Sequence, residues 1–336
     1  MQKIKSFLAD ISSPRERRLG EQFAFGARET IIHSLNVDDQ TFFLGTLQHG
    51  WIDNTFDTNR PPIFDYRGKP YVDLVWSARG QKEMKNAGRK ASLCIGAPWS
   101  HLARRIEENN SSALLKEKNQ GKVVTYFPSK SHHGWESFID TKLELLDLDK
   151  CRYRVCLYWL DYLNNDLRKD FERRGFEVVC AGFRGSSGNE IPWADLGGRS
   201  VFLINLWKII AESSSIIVDD VSSAFWYALS LNKPTSVLKR STYYNTWNSS
   251  DLRNPNLFVQ ENDKILNRYG IRNSFDGSPL NSKGELTELA RAELGWEFAG
   301  NSGEDFERIR NYLIIDSRIP KKYLENYREK FSNLFE

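Results

Sequence analysis

The sharpest alternation of apolar and polar positions lies at 213–238. Three serines precede Ile216, Ile217 and Val218, a β-branched run of the kind that fills a buried parallel strand. Asp219 and Asp220 end the run, and Ser222 or Ser223 is a good N-cap for a helix. Ala224, Phe225, Ala228, Leu229 and Leu231 give that helix one apolar face. Asn232, Lys233 and Pro234 stop it, and a new strand starts at Thr235. The pattern predicts a strand–helix–strand unit with a helix N-terminus, two hydroxyls and two carboxylates at the carboxyl edge of a sheet. Free N–H groups and the helix dipole suit such a place to a phosphate. In open α/β sheets that edge is also where ligands bind.

The rest of the chain follows the same grammar. A capping-box pattern, Ser13 with Glu16, predicts a helix over 14–35, with Phe23, Phe25, Ala27, Ile31 and Ile32 as its buried stripe. Strands are predicted at 41–47, 71–77 and 92–96, with helices at 80–86 and 101–109. A polar run over 109–121 reads as a connection between domains. Beyond it come strands at 122–127, 153–159 and 177–181, with helices at 165–174 and 201–211. Short helical pieces alternate with Gly/Ser/Asn loops over 261–304, and two amphipathic helices are predicted at 304–315 and 320–334.

Composition narrows the class. The 336 residues suffice for two domains, and 40% hydrophobic with 27% charged residues is the balance of a water-soluble globular chain. A net charge of +3, from 47 basic and 44 acidic side chains, calls for no nucleic-acid partner. No apolar run reaches the ~18 residues of a membrane span, and the first ten residues lack the apolar core of a signal peptide. The four cysteines, at 94, 151, 156 and 180, form no Cys-x-x-Cys pair, so buried thiols in a reducing cytoplasm are expected. His132 and His133 are adjacent, and adjacent side chains rarely chelate one ion. No metal site and no cofactor is therefore expected.

Three further loops fall at predicted strand ends. Gln48-His49-Gly50-Trp51-Ile52-Asp53 puts an imidazole and a carboxylate past the strand at 41–47. Histidine is the side chain whose ordinary pKa suits base work near neutrality, although a histidine in a turn is as often bonded to backbone. Ser129, Lys130 and Ser131 follow the strand at 122–127, with hydroxyls, N–H groups and one ammonium that suit a phosphate. Gly182, Arg184 and a Gly/Ser-rich run follow the strand at 177–181, without a Walker lysine or a Gly-x-Gly-x-x-Gly. Arg184 is equally a solvated loop charge or an anion partner.

The segment around Asp219–Pro234 resembles the donor-site segment in the C-terminal domain of GT-B-type bacterial glycosyltransferases. There an acidic or polar turn, a Ser-Ser pair opening a helix and a Lys-Pro follow one another. The segment is similar to that of CDP-glycerol glycerophosphotransferases and of sialyl- and Kdo-type transferases. The His49-Gly50 loop resembles their Trp-His-Gly motif, with Gln48 in place of the Trp, and the Phe-Pro-Ser-x-Ser segment at 127–131 resembles their opening C-terminal loop. The His-Pro pair that accompanies Ser-Ser in many sialyl- and Kdo-type enzymes is absent.

The resemblance implies two Rossmann-like domains facing a cleft, with a reduced N-terminal domain. The implied division is an acceptor-side domain at 1–117, a nucleotide-sugar domain at 118–300, and closing helices at 301–336 that pack back across the domains. It implies transfer of a sugar from a CMP-, CDP- or UDP-linked donor to a hydroxyl of a glycan or lipid-linked acceptor, in the cytoplasm or at the inner face of the membrane. His49 or Asp53 would be the base. Ser129, Lys130, Ser131, Gly182, Arg184, Asp219, Asp220, Ser222 and Ser223 would hold the donor. A non-hydrolysing nucleotide-sugar epimerase shares this architecture, and a non-catalytic sugar- or nucleotide-binding module is the remaining reading.

Overall fold

A computed structural model describes residues 24–37, 41–43, 45–48, 50–51, 72–86, 88, 92–108, 123–128, 151–182, 201–219, 221–237, 263–271, 280, 284–300, 307, 309–310 and 313–315. In chain order its principal elements begin with α1 (Ala27–Ser34), β1 (Thr41–Phe43), β2 (Gly45–Leu47), β3 (Val72–Val75), α2 (Ala78–Asn86), β4 (Ser92–Cys94) and α3 (Pro98–Glu108). Next come β5 (Val123–Phe127), β6 (Arg152–Leu157), α4 (Trp159–Tyr162), α5 (Asn165–Arg173), β7 (Glu177–Cys180) and α6 (Val201–Glu212). Last are β8 (Ser215–Val218), α7 (Ser223–Ser230), β9 (Thr235–Val237), α8 (Glu285–Glu293) and β10 (Leu313–Ile315). The chain divides into two compact units: 1–110 with 183–204 and 292–336, and 111–182 with 205–291.

In the first unit β2, β3 and β4 form a parallel sheet in that order. Ile31, Ile32 and Leu35, from α1 and its end, pack with Leu74, Leu93 and Ile95 to make its core. Of the predicted helix over 14–35, residues 14–23 lie outside the described residues; Phe25 and Gly26 both have left-handed backbone, φ 58° and 67°, and α1 starts only after them. The predicted strand at 41–47 is shared between two sheets. Gly45–Leu47 joins β3, whereas Thr41–Phe43 pairs antiparallel with Leu313–Ile315. Leu313–Ile315 was expected to end an amphipathic helix; its apolar run meets an open strand edge instead. Helix α3 starts three residues before the predicted start because Pro98 occupies its first turn, where a missing N–H costs nothing.

The carboxyl edge of this sheet is closed by backbone. Ala97 N–H donates to the Leu294 carbonyl at 2.8 Å, and the Ser100 hydroxyl donates to the same oxygen at 3.0 Å. Gly295 has φ 63°, and a Cβ built there would stand 1.7 Å from the Trp76 carbonyl oxygen. Gly96, at φ 75°, faces the Gly295 carbonyl with 2.9 Å for its own missing Cβ. Two glycines thus let three backbone segments meet.

The second unit is a five-stranded, all-parallel sheet in the order β7-β6-β5-β8-β9. Its first strand is central, two strands follow on one side and two on the other. Helix α5 is capped by the Asn164 side chain, which accepts from the N–H groups of Asp166 and Leu167. Leu167 and Phe171 of that helix pack with Tyr126, Val155 and Phe176 over one face. No helix among the described residues is long and apolar enough to cross a membrane.

Gly295→Ala is expected to cost more than about 4 kcal/mol, because backbone on all sides prevents relief of the clash. Gly88, at φ 77° with nothing within 4 Å of its missing Cβ, carries only the backbone term. Gly88→Ala should cost about 1–2 kcal/mol. Urea unfolding of the two variants beside the parent checks the contrast.

Candidate functional site

The site is built from the ends of parallel strands. In the second unit, β5 is hydrogen-bonded by β6 on one side and β8 on the other, and the chain leaves it in opposite directions along the sheet. That is the switch point at which open α/β sheets form a crevice beyond the strand ends. Asp219 follows β8 there, and α7 opens four residues later.

Asp219 is wholly buried, and both of its carboxylate oxygens accept from the Tyr126 hydroxyl, at 2.9 and 2.8 Å. The carboxylate therefore ties the end of β8 to β5. Such charge-assisted bonds are the strong ones inside a fold.

Ser222 is the N-cap residue of α7, with extended backbone (φ −123°, ψ −175°) and a half-buried side chain that makes no capping hydrogen bond. The hydroxyl that usually satisfies an N–H of the first turn is turned elsewhere. Ser223 bonds to the hydroxyl of Tyr227 one turn on. Burial pushes the Tyr227 phenol upward, and the Ser223 bond opposes that shift. The two serines of the pair thus differ: Ser223 is engaged within the helix, and Ser222 stands at its tip.

Gly182 lies past the end of β7 at φ 122°, a conformation open to glycine, and its N–H donates to Cys180 Sγ at 3.4 Å. Burial raises both the Cys180 and Cys156 thiols, so they stay protonated and unreactive at neutral pH. Asn205 donates its side-chain N–H to the Ala181 carbonyl at 3.2 Å and holds this loop entry to α6.

Lys233, read in the sequence as part of a Lys-Pro signature, works on the opposite side of the helix–strand turn. Its ammonium donates to the carbonyls of Ala211 and Ser213, the latter at 2.8 Å, and so caps the end of α6. Burial lowers its pKa.

His49, Asp53, Ser129, Lys130, Ser131, Arg184 and Asp220 lie outside the described residues. In the first unit the neighbours of His49 are in place. Gln48 accepts hydrogen bonds from Trp76, and Trp51 donates one to Glu293, a residue that no local pattern singled out. His101, at the start of the helix predicted over 101–109, is buried in α3. Its Nε2–H donates to the Ile95 carbonyl at 2.7 Å, which leaves Nδ1 to accept from the Ser34 hydroxyl at 2.8 Å. Burial lowers its pKa to about 4, against the Ile95 bond and with help from Arg104. Among the described residues no cluster of three or more His, Cys, Asp or Glu side chains could hold a metal ion.

No family model matches the chain, and no curated protein matches it. Among solved structures it is similar to two of the wall teichoic acid polymerase TagF. Both are 15% identical with a TM-score of 0.33, over 76% of this chain and 57% or 58% of that one. It is also similar to UDP-GlcNAc 2-epimerase from Neisseria meningitidis bound to UDP-GlcNAc, at 14% identity and a TM-score of 0.32, over 70% of this chain and 58% of that one. The chain spans less than two thirds of the length of each. The functional reading is drawn from the sheets and the residues at their edges.

Two predictions follow from the buried groups. Tyr126→Phe removes one donor from the buried Asp219 carboxylate and should cost about 1–2 kcal/mol, read as a lowered urea midpoint at pH 7. His101 has a folded pKa of about 4 against an unfolded value near 6.5, so the unfolded chain binds the proton first. Its contribution is whole above about pH 6.5 and is lost as pH falls toward 4, about 3 kcal/mol in all. His101→Gln should flatten that part of the stability–pH curve; an unchanged slope between pH 6.5 and 4.5 would exclude this histidine as its source.

Proposed function

We propose that the chain is a glycosyltransferase that moves a sugar from a nucleotide-sugar donor to a hydroxyl of a glycan or lipid-linked acceptor in bacterial surface-polysaccharide synthesis. The observation that carries the reading is the tip of α7. Its N-cap hydroxyl makes no capping bond, and it follows the strand beside the switch point of an all-parallel sheet. A donor phosphate fits that chemistry: N–H groups and the positive end of the helix dipole would bind it, with Ser222 beside it.

In the reaction so read, an acceptor hydroxyl oxygen attacks the anomeric carbon of the donor. The bond from that carbon to the phosphate oxygen breaks, and the nucleotide leaves with the electron pair. The helix tip takes up the developing charge, with Ser129, Lys130, Ser131, Gly182 and Arg184 as further donor-binding candidates from the neighbouring strand ends. The acceptor proton passes to His49 or Asp53. Asp219 serves by fixing the turn from beneath, through Tyr126. Asp220 remains the carboxylate of the pair for ribose or sugar hydroxyls. Action at the inner face of the membrane belongs to the same proposal for a lipid-linked acceptor.

The test uses a substitution that is kind to the helix and hostile to an anion. Thermal unfolding of the whole chain is followed with CMP, CDP and UDP and with their sugars. A nucleotide at about 100 times its Kd should raise the midpoint by roughly 5 °C. Ser222→Asp is itself a good N-cap, so the apo midpoint should hold or rise while the nucleotide shift disappears. A full shift in Ser222→Asp would sink the phosphate site. Conversion of the nucleotide-sugar with no acceptor present would favour the epimerase reading.

A further inference from the structure

Residues 294–299 are laid across the carboxyl ends of β3 and β4, and their packing decides which side chains are left on the outside. Leu294 and Gly295 are buried, and the Leu294 carbonyl accepts from the Ala97 N–H and the Ser100 hydroxyl. Farther on, the Ala299 carbonyl accepts from Arg104 Nη1. Between these two anchors Trp296–Phe298 form one 3-10 turn, opened by Gly295 in left-handed backbone. Such a turn sets successive side chains about 120° apart. Phe298 takes the inward side and packs against Val75, Met84 and Cys94. Trp296 and Glu297 take the two outer sides, the first half-buried and the second exposed.

Holding the turn in place does not call for a carboxylate. Glu297 accepts from its own backbone N–H, and among the described residues no other side chain pairs with it. Nearby protein displaces enough water from this carboxyl to raise its pKa. A carboxylate so placed gains from any hydroxyl that comes to it. Ligands of open α/β sheets meet the strand ends. Here backbone covers the ends of β3 and β4, so a ligand on this edge meets the outer side of Trp296 and Glu297. The chemistry offered is one aromatic face beside one anionic acceptor. A sugar ring matches both, with C–H groups on its face for the indole and hydroxyls at its rim for the carboxylate. A phosphate is repelled by the same carboxylate.

We propose that Trp296 and Glu297 form a binding site for an uncharged sugar ring, the acceptor of the transfer rather than its nucleotide-linked donor. The role of acceptor rests on the transferase reading and deepens it by naming the class of group recognised; the sugar site itself stands on the turn at 296–297.

The test reads Trp296 directly. The chain carries ten tryptophans, so 15N labelling gives ten indole N–H signals, and Trp296→Phe identifies the one at this turn. The probes are the methyl glycosides of glucose, galactose, N-acetylglucosamine and N-acetylmannosamine. At least one should move the Trp296 signal saturably and leave those of the core residues Trp99 and Trp226 in place. Glu297→Ala takes nothing from the core and should weaken that binding at least about 10-fold, the loss of hydrogen bonding to one charged group. In a transfer assay the same variant should raise KM for the acceptor and leave KM for the nucleotide-sugar unchanged. A Trp296 signal that no glycoside moves overturns the proposal. So does equal binding by Glu297→Ala, or a drift of all ten signals together. If a glycoside moves the Trp296 signal and no nucleotide-sugar is turned over, the sugar site stands and the transferase reading fails. Turnover beside an unmoved Trp296 signal removes this site alone.

Discussion

Parallel strands cannot be joined by a tight turn, so each passage from one to the next needs a crossover. In the second unit that constraint acts around β5. The chain builds outward from it through β6 and β7, returns, and builds outward again through β8 and β9. Because β5 pairs with β6 on one side and β8 on the other, the ends of β5 and β8 lie side by side where the strand order reverses. Tyr126 and Asp219 meet there and bind each other. The position of α7 and of its half-buried cap residue Ser222 follows from this one arrangement.

The first unit uses the same parallel pairing differently. Its strand ends are not left open at Trp76 and Gly96: Leu294 and Gly295 are laid against them, backbone to backbone. Gly96 and Gly295 make room here for another part of the chain. The neighbouring Glu293 draws Arg79 and Trp51 together, so the segment that closes the strand ends also holds the Trp51 indole.

Much of the fold is legible in local pattern. The strands at Val123–Phe127, Arg152–Leu157, Glu177–Cys180 and Ser215–Val218 stand within a few residues of their predicted places, because β-branched runs bounded by Gly, Asn and Asp act over short distances. The helix over Ser223–Ser230 and its Ser222 cap are legible for the same reason. Where local reading misses, a long-range partner has intervened. Leu313–Ile315 is a strand because Thr41–Phe43 offers an edge, and His101 is a core residue because Ser34 and Ile95 bracket its ring. Of the proposed donor ligands, Ser222, Ser223, Asp219 and Gly182 looked alike in sequence; hydrogen bonding separates the half-buried cap Ser222 from the buried strut Asp219.

The sequence by itself determined the strands β5 to β9, the helix Ser223–Ser230 and the residues that end them, since periodicity and turn chemistry depend on neighbours along the chain. Only the tertiary structure decided that β5 is central, that Lys233 caps another helix, and that Glu293 meets Trp51 across most of the chain's length. Such partners are selected by close packing and by the cost of leaving a buried charge or N–H unpaired, and neither is written into any short window of residues.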